Sequence, residues 1–87
     1  EIMDLELVIY PNPTNGEAIN VSYTAQNEET QFTLRDVNGK VLAKQVIETT
    51  NSSVTQKLNN TQNLTSGCYF LEVKSGDFVT TKKVVVL

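Results

Sequence analysis

Apolar residues in this chain recur at every second position within short runs. Leu5, Leu7 and Ile9 set the pattern, Ile19, Val21 and Tyr23 repeat it, and Phe32 with Leu34 follow. A period of two puts alternate side chains on opposite faces of an extended strand, whereas one face of a helix needs spacings of three and four. Val54, Gln56 and Leu58 form a further run. Tyr69, Leu71 and Val73 form another, predicted to face a core while Cys68, Phe70, Glu72 and Lys74 face out or a rim. Composition agrees, since Val, Ile and Thr supply 26 of the 87 residues and suit a pleated, half-buried surface, while Ala numbers three.

Turn signals separate the runs. Asn38-Gly39 accepts positive φ between two apolar stretches, the strongest short-range hairpin signal, and joins the third strand to the fourth. That fourth segment, Lys40 to Thr49, is ambiguous because Leu42 and Val46 are also i,i+4 neighbours on a helix; the turn before it and Thr49-Thr50 after it favour a strand. Asn59-Asn60-Thr61-Gln62-Asn63 reads as loop with Leu64 dipping into the core, Gly67 opens the next strand, and Ser75-Gly76-Asp77 turns the chain again. In the final run, Phe78 to Leu87, both alternating sets become apolar after Lys83, which predicts an end buried on both faces. Seven short strands with turn signals every eight to twelve residues or so predict an all-β fold, a small two-sheet antiparallel Ig-like β-sandwich. No repeat and no second domain interrupt it, so residues 1–87 read as one domain. A chain of this length buries about 64% of its unfolded surface, enough for one modest core.

The residues that are missing narrow the chemistry. His is absent and Cys68 is alone, so no disulfide forms within the chain, no zinc site of several Cys and His can be built, and no Ser or Cys nucleophile has a His base. Asp36, Glu72 and Asp77 could act as acids or bases, but nothing in the sequence pairs them, and such charges usually sit on solvated faces. The reading is a protein without catalysis or cofactor. Seven Lys and Arg against ten Asp and Glu give a net charge of -3, and only Lys82 and Lys83 adjoin, whereas a phosphate backbone demands clustered cations. Nucleic acid is therefore not expected as a partner. No apolar run approaches the roughly 20 residues of a membrane helix. No charged-then-apolar leader opens the chain, so it reads as an intracellular domain or a piece of a longer secreted one, and the start at Glu1 favours the piece.

Several small motifs have plain readings. Asp36-Val37-Asn38-Gly39 is like the start of a calcium loop but lacks the third oxygen ligand and the closing Glu, which leaves a hairpin turn. Asn20, Asn51, Asn59 and Asn63 each open an Asn-Xaa-Ser/Thr triplet; with 25 Asn, Ser and Thr residues such triplets arise by composition. No cation flanks Cys68 to lower its pKa, and a lone Cys is usually a small hydrophobe. Tyr10-Pro11-Asn12-Pro13-Thr14-Asn15-Gly16 is more specific: two prolines fix φ and push Tyr10 and Asn12 toward extended geometry, while Asn15-Gly16 supplies a reversal. Its plain reading is a rigid, solvent-facing corner.

Taken in order, four segments resemble a known family. They are Leu7-Val8-Ile9-Tyr10-Pro11-Asn12-Pro13 with Gly16, then Arg35-Asp36-Val37-Asn38-Gly39-Lys40-Val41, then Leu64-Thr65-Ser66-Gly67-Cys68-Tyr69-Phe70-Leu71-Glu72-Val73, and last Thr81-Lys82-Lys83-Val84-Val85-Val86. Y-P-N-P-x-x-G, D-x-x-G-K, L-x-x-G-x-Y and a closing K-x-V-V resemble the type A C-terminal sorting domain of the type IX (Por) secretion system, with Tyr10 to Leu87 as the motif-bearing part. The resemblance implies a domain that rides at the end of exported proteins of certain Gram-negative bacteria, enters the periplasm with its cargo and addresses it to the outer-membrane translocon. A sortase-type cysteine protease at the cell surface then removes it, and the freed cargo is often linked to an anionic lipopolysaccharide. Implied partners are thus the translocon, the protease and an upstream cargo domain in the same precursor, and the implied location is the periplasm in transit, then the outer-membrane surface or the extracellular space. The implied recognition residues are Tyr10, Pro11, Asn12, Pro13, Gly16, Asp36, Gly39, Lys40, Gly67, Tyr69, Lys82, Lys83, Val84 and Val85.

Two positions depart from the family pattern. Members commonly run a residue or two past the closing valines, often to a basic residue, and the position before the motif tyrosine is usually aliphatic where this chain has Cys68, whose pairing between chains stays open in an oxidising compartment. Composition and periodicity fit equally an Ig-like adhesive or carbohydrate-binding module of a surface protein. The ordered motifs favour the sorting signal.

Overall fold

The computed structural model describes residues 7–15, 18–24, 29–48, 53–58 and 64–87. Seven strands carry the chain: β1 (Val8–Tyr10), β2 (Asn20–Thr24), β3 (Glu29–Arg35), β4 (Val41–Glu48), β5 (Ser53–Lys57), β6 (Gly67–Ser75) and β7 (Phe78–Val86). They form two antiparallel sheets, one ordered β1-β2-β5 and the other β4-β3-β6-β7. This is the expected all-β sandwich. Leu5, Gly16, Thr49-Thr50 and the 59–63 loop lie outside the described residues.

The alternation read from the sequence is the alternation of burial. Ile19, Val21 and Tyr23 of the smaller sheet meet Phe32, Leu34, Tyr69, Leu71 and Val73 of the larger one, and Leu58, Val84 and Val86 complete the buried core. Leu64 packs against it, partly buried, as expected. Tyr23 and Phe32 meet edge to face across the sandwich, ring centroids 5.4 Å apart, a geometry set by the positive rim and negative face of each ring. Each core aliphatic of this size contributes about 1.5–3 kcal/mol through the apolar surface it removes from water.

The segment with a helical alternative is a strand, because its backbone pairs with β3 from Glu29↔Glu48 to Arg35↔Val41. The register slips between Leu34 and Arg35, so that Leu42 is the extra residue of a β-bulge. The bulge explains why both Leu42 and Ala43, neighbours in sequence, pack against the core, while Val46 faces outward. The hairpin turn spans 36–40 and is organised by Asp36, whose Oδ1 accepts the N–H groups of Asn38 (2.9 Å) and Lys40 (3.0 Å). Gly39 donates its N–H to the Asp36 carbonyl with φ at +86°, a left-handed conformation that a side chain resists.

One expectation is corrected. The end of β7 is not buried on both faces: Val84 and Val86 are in the core, but Val85 faces the outer side half-buried and Leu87 is 73% exposed. Only one face of β7 has a sheet opposite it, so an unbroken apolar run here does not mean two covered faces.

Candidate recognition surface

Two segments far apart in sequence, 12–14 and 83–87, meet on the outer edge of β7. Thr14 forms a short parallel bridge with Val86, donating its N–H to the Val85 carbonyl at 2.8 Å and accepting the Leu87 N–H at 2.8 Å. Thr14 is 1% exposed, and its hydroxyl donates to the Ala18 carbonyl at 3.0 Å. Two residues earlier the side chain of Asn12 takes over the pairing. Its Nδ2 donates to the Lys83 carbonyl at 2.9 Å, and its Oδ1 accepts the Val85 N–H at 3.0 Å. A sheet edge exposes unpaired N–H and C=O groups that invite another chain. Here an amide side chain and a short backbone stretch close that edge from Lys83 to Leu87.

Around this clip Tyr10, Pro11, Asn12 and Pro13 are exposed, as the sequence predicts. Both the Tyr10-Pro11 and Asn12-Pro13 peptide bonds are cis. Asn20 donates from Nδ2 to the Tyr10 carbonyl at 3.2 Å and so ties the corner back to β2. Lys82 and Lys83, adjacent in sequence, point to opposite faces of the larger sheet. Lys82 shares the face of Val84 and Val86 yet is exposed, whereas Lys83 lies on the outer face opposite Phe70. Val84 is core and Val85 is the clip's partner, so the closing motif divides into a packing residue and a pairing residue.

The remaining motif residues build the same end of the sheet without entering the clip. Register carries one row across it: Val41, Arg35, Phe70 and Lys83. Just beyond that row lie the turn of Asp36, Gly39 and Lys40 and the start of β6 at Gly67. Gly67 has φ +151° and open space where a Cβ would stand, so its requirement is conformational rather than steric. Tyr69 is 6% exposed and donates its hydroxyl to the Thr65 carbonyl at 2.6 Å, with the Thr65 hydroxyl at 3.1 Å. These residues hold turns and core. The sequence did not single out Thr14, although its position between Asn12 and the reversal gave it a part in pairing with β7.

The outer face of the larger sheet carries Arg35 and Glu72, an ion pair at 3.5 Å with both side chains part-exposed, and a shallow polar depression between them, Lys44 and Lys74. It is neither enclosed nor apolar, unlike most small-molecule sites. Among the described residues no cluster of three or more Cys, Asp or Glu could hold a metal ion, and no helix is long and apolar enough to cross a membrane.

The domain is thus a two-sheet all-β sandwich with one edge strand closed by an amide clip. A family model for the secretion system C-terminal sorting domain matches residues 8–87, and the chain belongs to that family, the sorting tails of type IX secretion. A search of curated proteins returned no match. The family is a sorting signal for an exported protein and is not itself an enzyme.

Proposed function

We propose that the clipped edge is the address that the type IX translocon reads. The observation that carries this is the pair of hydrogen bonds that Asn12 makes, donating to the Lys83 carbonyl and accepting from the Val85 N–H, which joins motifs 71 and 73 residues apart into one exposed surface. Tyr10, Pro11 and Pro13 supply rigid relief, Lys83 and Lys82 supply charge on either side, and Asp36, Gly39, Lys40, Gly67 and Tyr69 hold the end of the sheet that displays them. A rigid surface loses little entropy on docking, which favours recognition.

On this reading an upstream cargo in the same precursor is carried to the periplasm, delivered to the translocon and brought to the outer-membrane surface or the medium, where a sortase-type cysteine protease releases it from the domain. The domain needs no cofactor for this and no catalytic group of its own. The test is export of a periplasmic reporter fused ahead of residues 1–87 in a type IX host. The fusion is expected at the surface or in the medium, and a fusion carrying Asn12→Ala is expected to accumulate in the periplasm while still folded. Wild-type export of the folded Asn12 variant would remove the clip from the address.

A further inference from the structure

The opposite edge of the larger sheet is built differently. β4 is the terminal strand of the order β4-β3-β6-β7, and among the described residues no strand pairs with its outer side, in contrast to the clip on β7. Past the bulge at Leu42 the strand pairs one-to-one with β3 from Ala43 to Glu48, and it contains neither Pro nor Gly. A long, regular edge of this kind is a template for another strand. Its outward residues are Lys44, Val46 and Glu48, all exposed, with Val46 at 46%.

Two features single out the strand that fits. Glu48 stands directly opposite Glu29 within its own sheet, a like-charge pair that costs stability, and neither Lys44 nor Glu48 has an ion pair among the described residues. The order Lys, Val, Glu at alternate positions is also complementary to itself when reversed. We infer that β4 is a two-fold pairing edge for a second copy of this chain, with Val46 opposite Val46 and Lys44 opposite Glu48 on each side of the axis.

Charge chooses this register. Antiparallel pairing that keeps outer faces together matches residues whose numbers share parity, because opposed residues point the same way. Centring the axis on Lys44 or on Glu48 sets like charges face to face, and centring it one residue either side of Val46 sets a charge against valine. The Val46 axis alone makes two opposite-charge pairs, and it brings a cation to the free side of each Glu48. The contact is isologous, so it closes at two copies. It joins two four-stranded sheets into one of eight with both β7 edges outermost, which leaves the recognition surface of each copy accessible.

Sedimentation velocity of the 87-residue chain from about 10 µM to about 1 mM tests the pairing over the affinity range of small, mostly polar interfaces. The average mass is expected to rise from 9.7 kDa toward twice that value. Lys44→Glu and Glu48→Lys should each weaken association at least about tenfold, since each turns two attractive pairs into repulsive ones. An equimolar mixture of these two variants should associate again, and so should the double variant carrying both changes. Glu48→Lys also removes the like-charge pair with Glu29, so it keeps the fold intact, with its melting curve as control. A wild-type chain still monomeric at about 1 mM, a dimer indifferent to both single changes, or a mixture that fails to associate would each overturn the inference.

Discussion

The side-chain amide of Asn12 stands against Val85 where a peptide group of a neighbouring strand would stand. Its oxygen takes the Val85 N–H at 3.0 Å and its nitrogen serves the Lys83 carbonyl at 2.9 Å, so both halves of the amide are used as both halves of a backbone unit would be. No other short side chain offers a donor and an acceptor in that spacing. The two bonds define what substitution at this position removes.

Asn12→Ala should lower stability by about 1 kcal/mol, because the freed edge groups on Lys83 and Val85 turn to water. Asn12→Asp keeps the acceptor for Val85 but sets a carboxylate oxygen against the Lys83 carbonyl, and it should be the less stable of the two. Denaturant titration gives the order, and faster amide exchange at Val85 in both variants locates the change. Equal stability of all three proteins would show that the clip contributes nothing to the fold.

Lys82 and Lys83 test recognition apart from folding. Both are exposed, and replacing both with Ala should change stability by less than about 0.5 kcal/mol, as solvated substitutions do. Export of a reporter fusion is expected to fall. Because the two side chains lie on opposite faces, a partner seated on one face of β7 should make the two single variants unequal. Full export by the double variant at wild-type expression would exclude a role for these lysines and leave the sandwich untouched.

Tyr69 has two separable contributions, its buried ring and its hydroxyl. Tyr69→Ala should cost about 3–5 kcal/mol through the cavity it leaves. Tyr69→Phe should cost about 1–2 kcal/mol, since the Thr65 carbonyl loses its donor. A loss under about 1 kcal/mol for the Ala variant in denaturant would place the ring outside the core.

Tyr23 presents the reverse case. Its hydroxyl is buried without a hydrogen-bond partner of ordinary geometry. Burial pushes its pKa above the usual 10.0, and the Thr30 side chain beside it opposes the shift. The folded state therefore keeps a proton that the unfolded chain gives up. That contribution is intact below pH 10 and is lost as pH rises from there through the raised value. Tyr23→Phe should be neutral or stabilising near pH 7, because it removes a buried hydroxyl with no hydrogen-bond partner of ordinary geometry among the described residues, and its stability should decline less steeply than wild type above pH 10. Parallel melting curves from pH 7 to 11 provide the comparison; a clearly less stable Phe variant at neutral pH would mean that the hydroxyl is satisfied.

Local chemistry is why most of the fold could be read before the structure. Ile19, Val21 and Tyr23, or Tyr69, Leu71 and Val73, declare an inward face through a period that holds wherever one side of a strand is wet. Asp36 and Gly39 declare a turn because each residue has its own reason to be there. Asn12, Lys83 and Val85 could be named from the sequence, but that they meet could not. That Asn12 pairs with Val85 depends on which edge the first corner crosses, a long-range relation that leaves no local period. The end of β7 was misread for a related reason: Val84, Val85, Val86 and Leu87 are uniformly apolar, and only the smaller sheet's position decides which of them is covered.

The clip also imposes an order of events on the chain. Residues 10–13 can be made early, but the groups that position Asn12 belong to Lys83 and Val85. A polypeptide interrupted anywhere before them therefore carries the first motif with nothing to receive it, and the edge of β7 does not exist. A clip built from residues 12–14 and 83–87 forms only in a chain completed between them, so on the proposed reading the address is displayed only once the domain is whole.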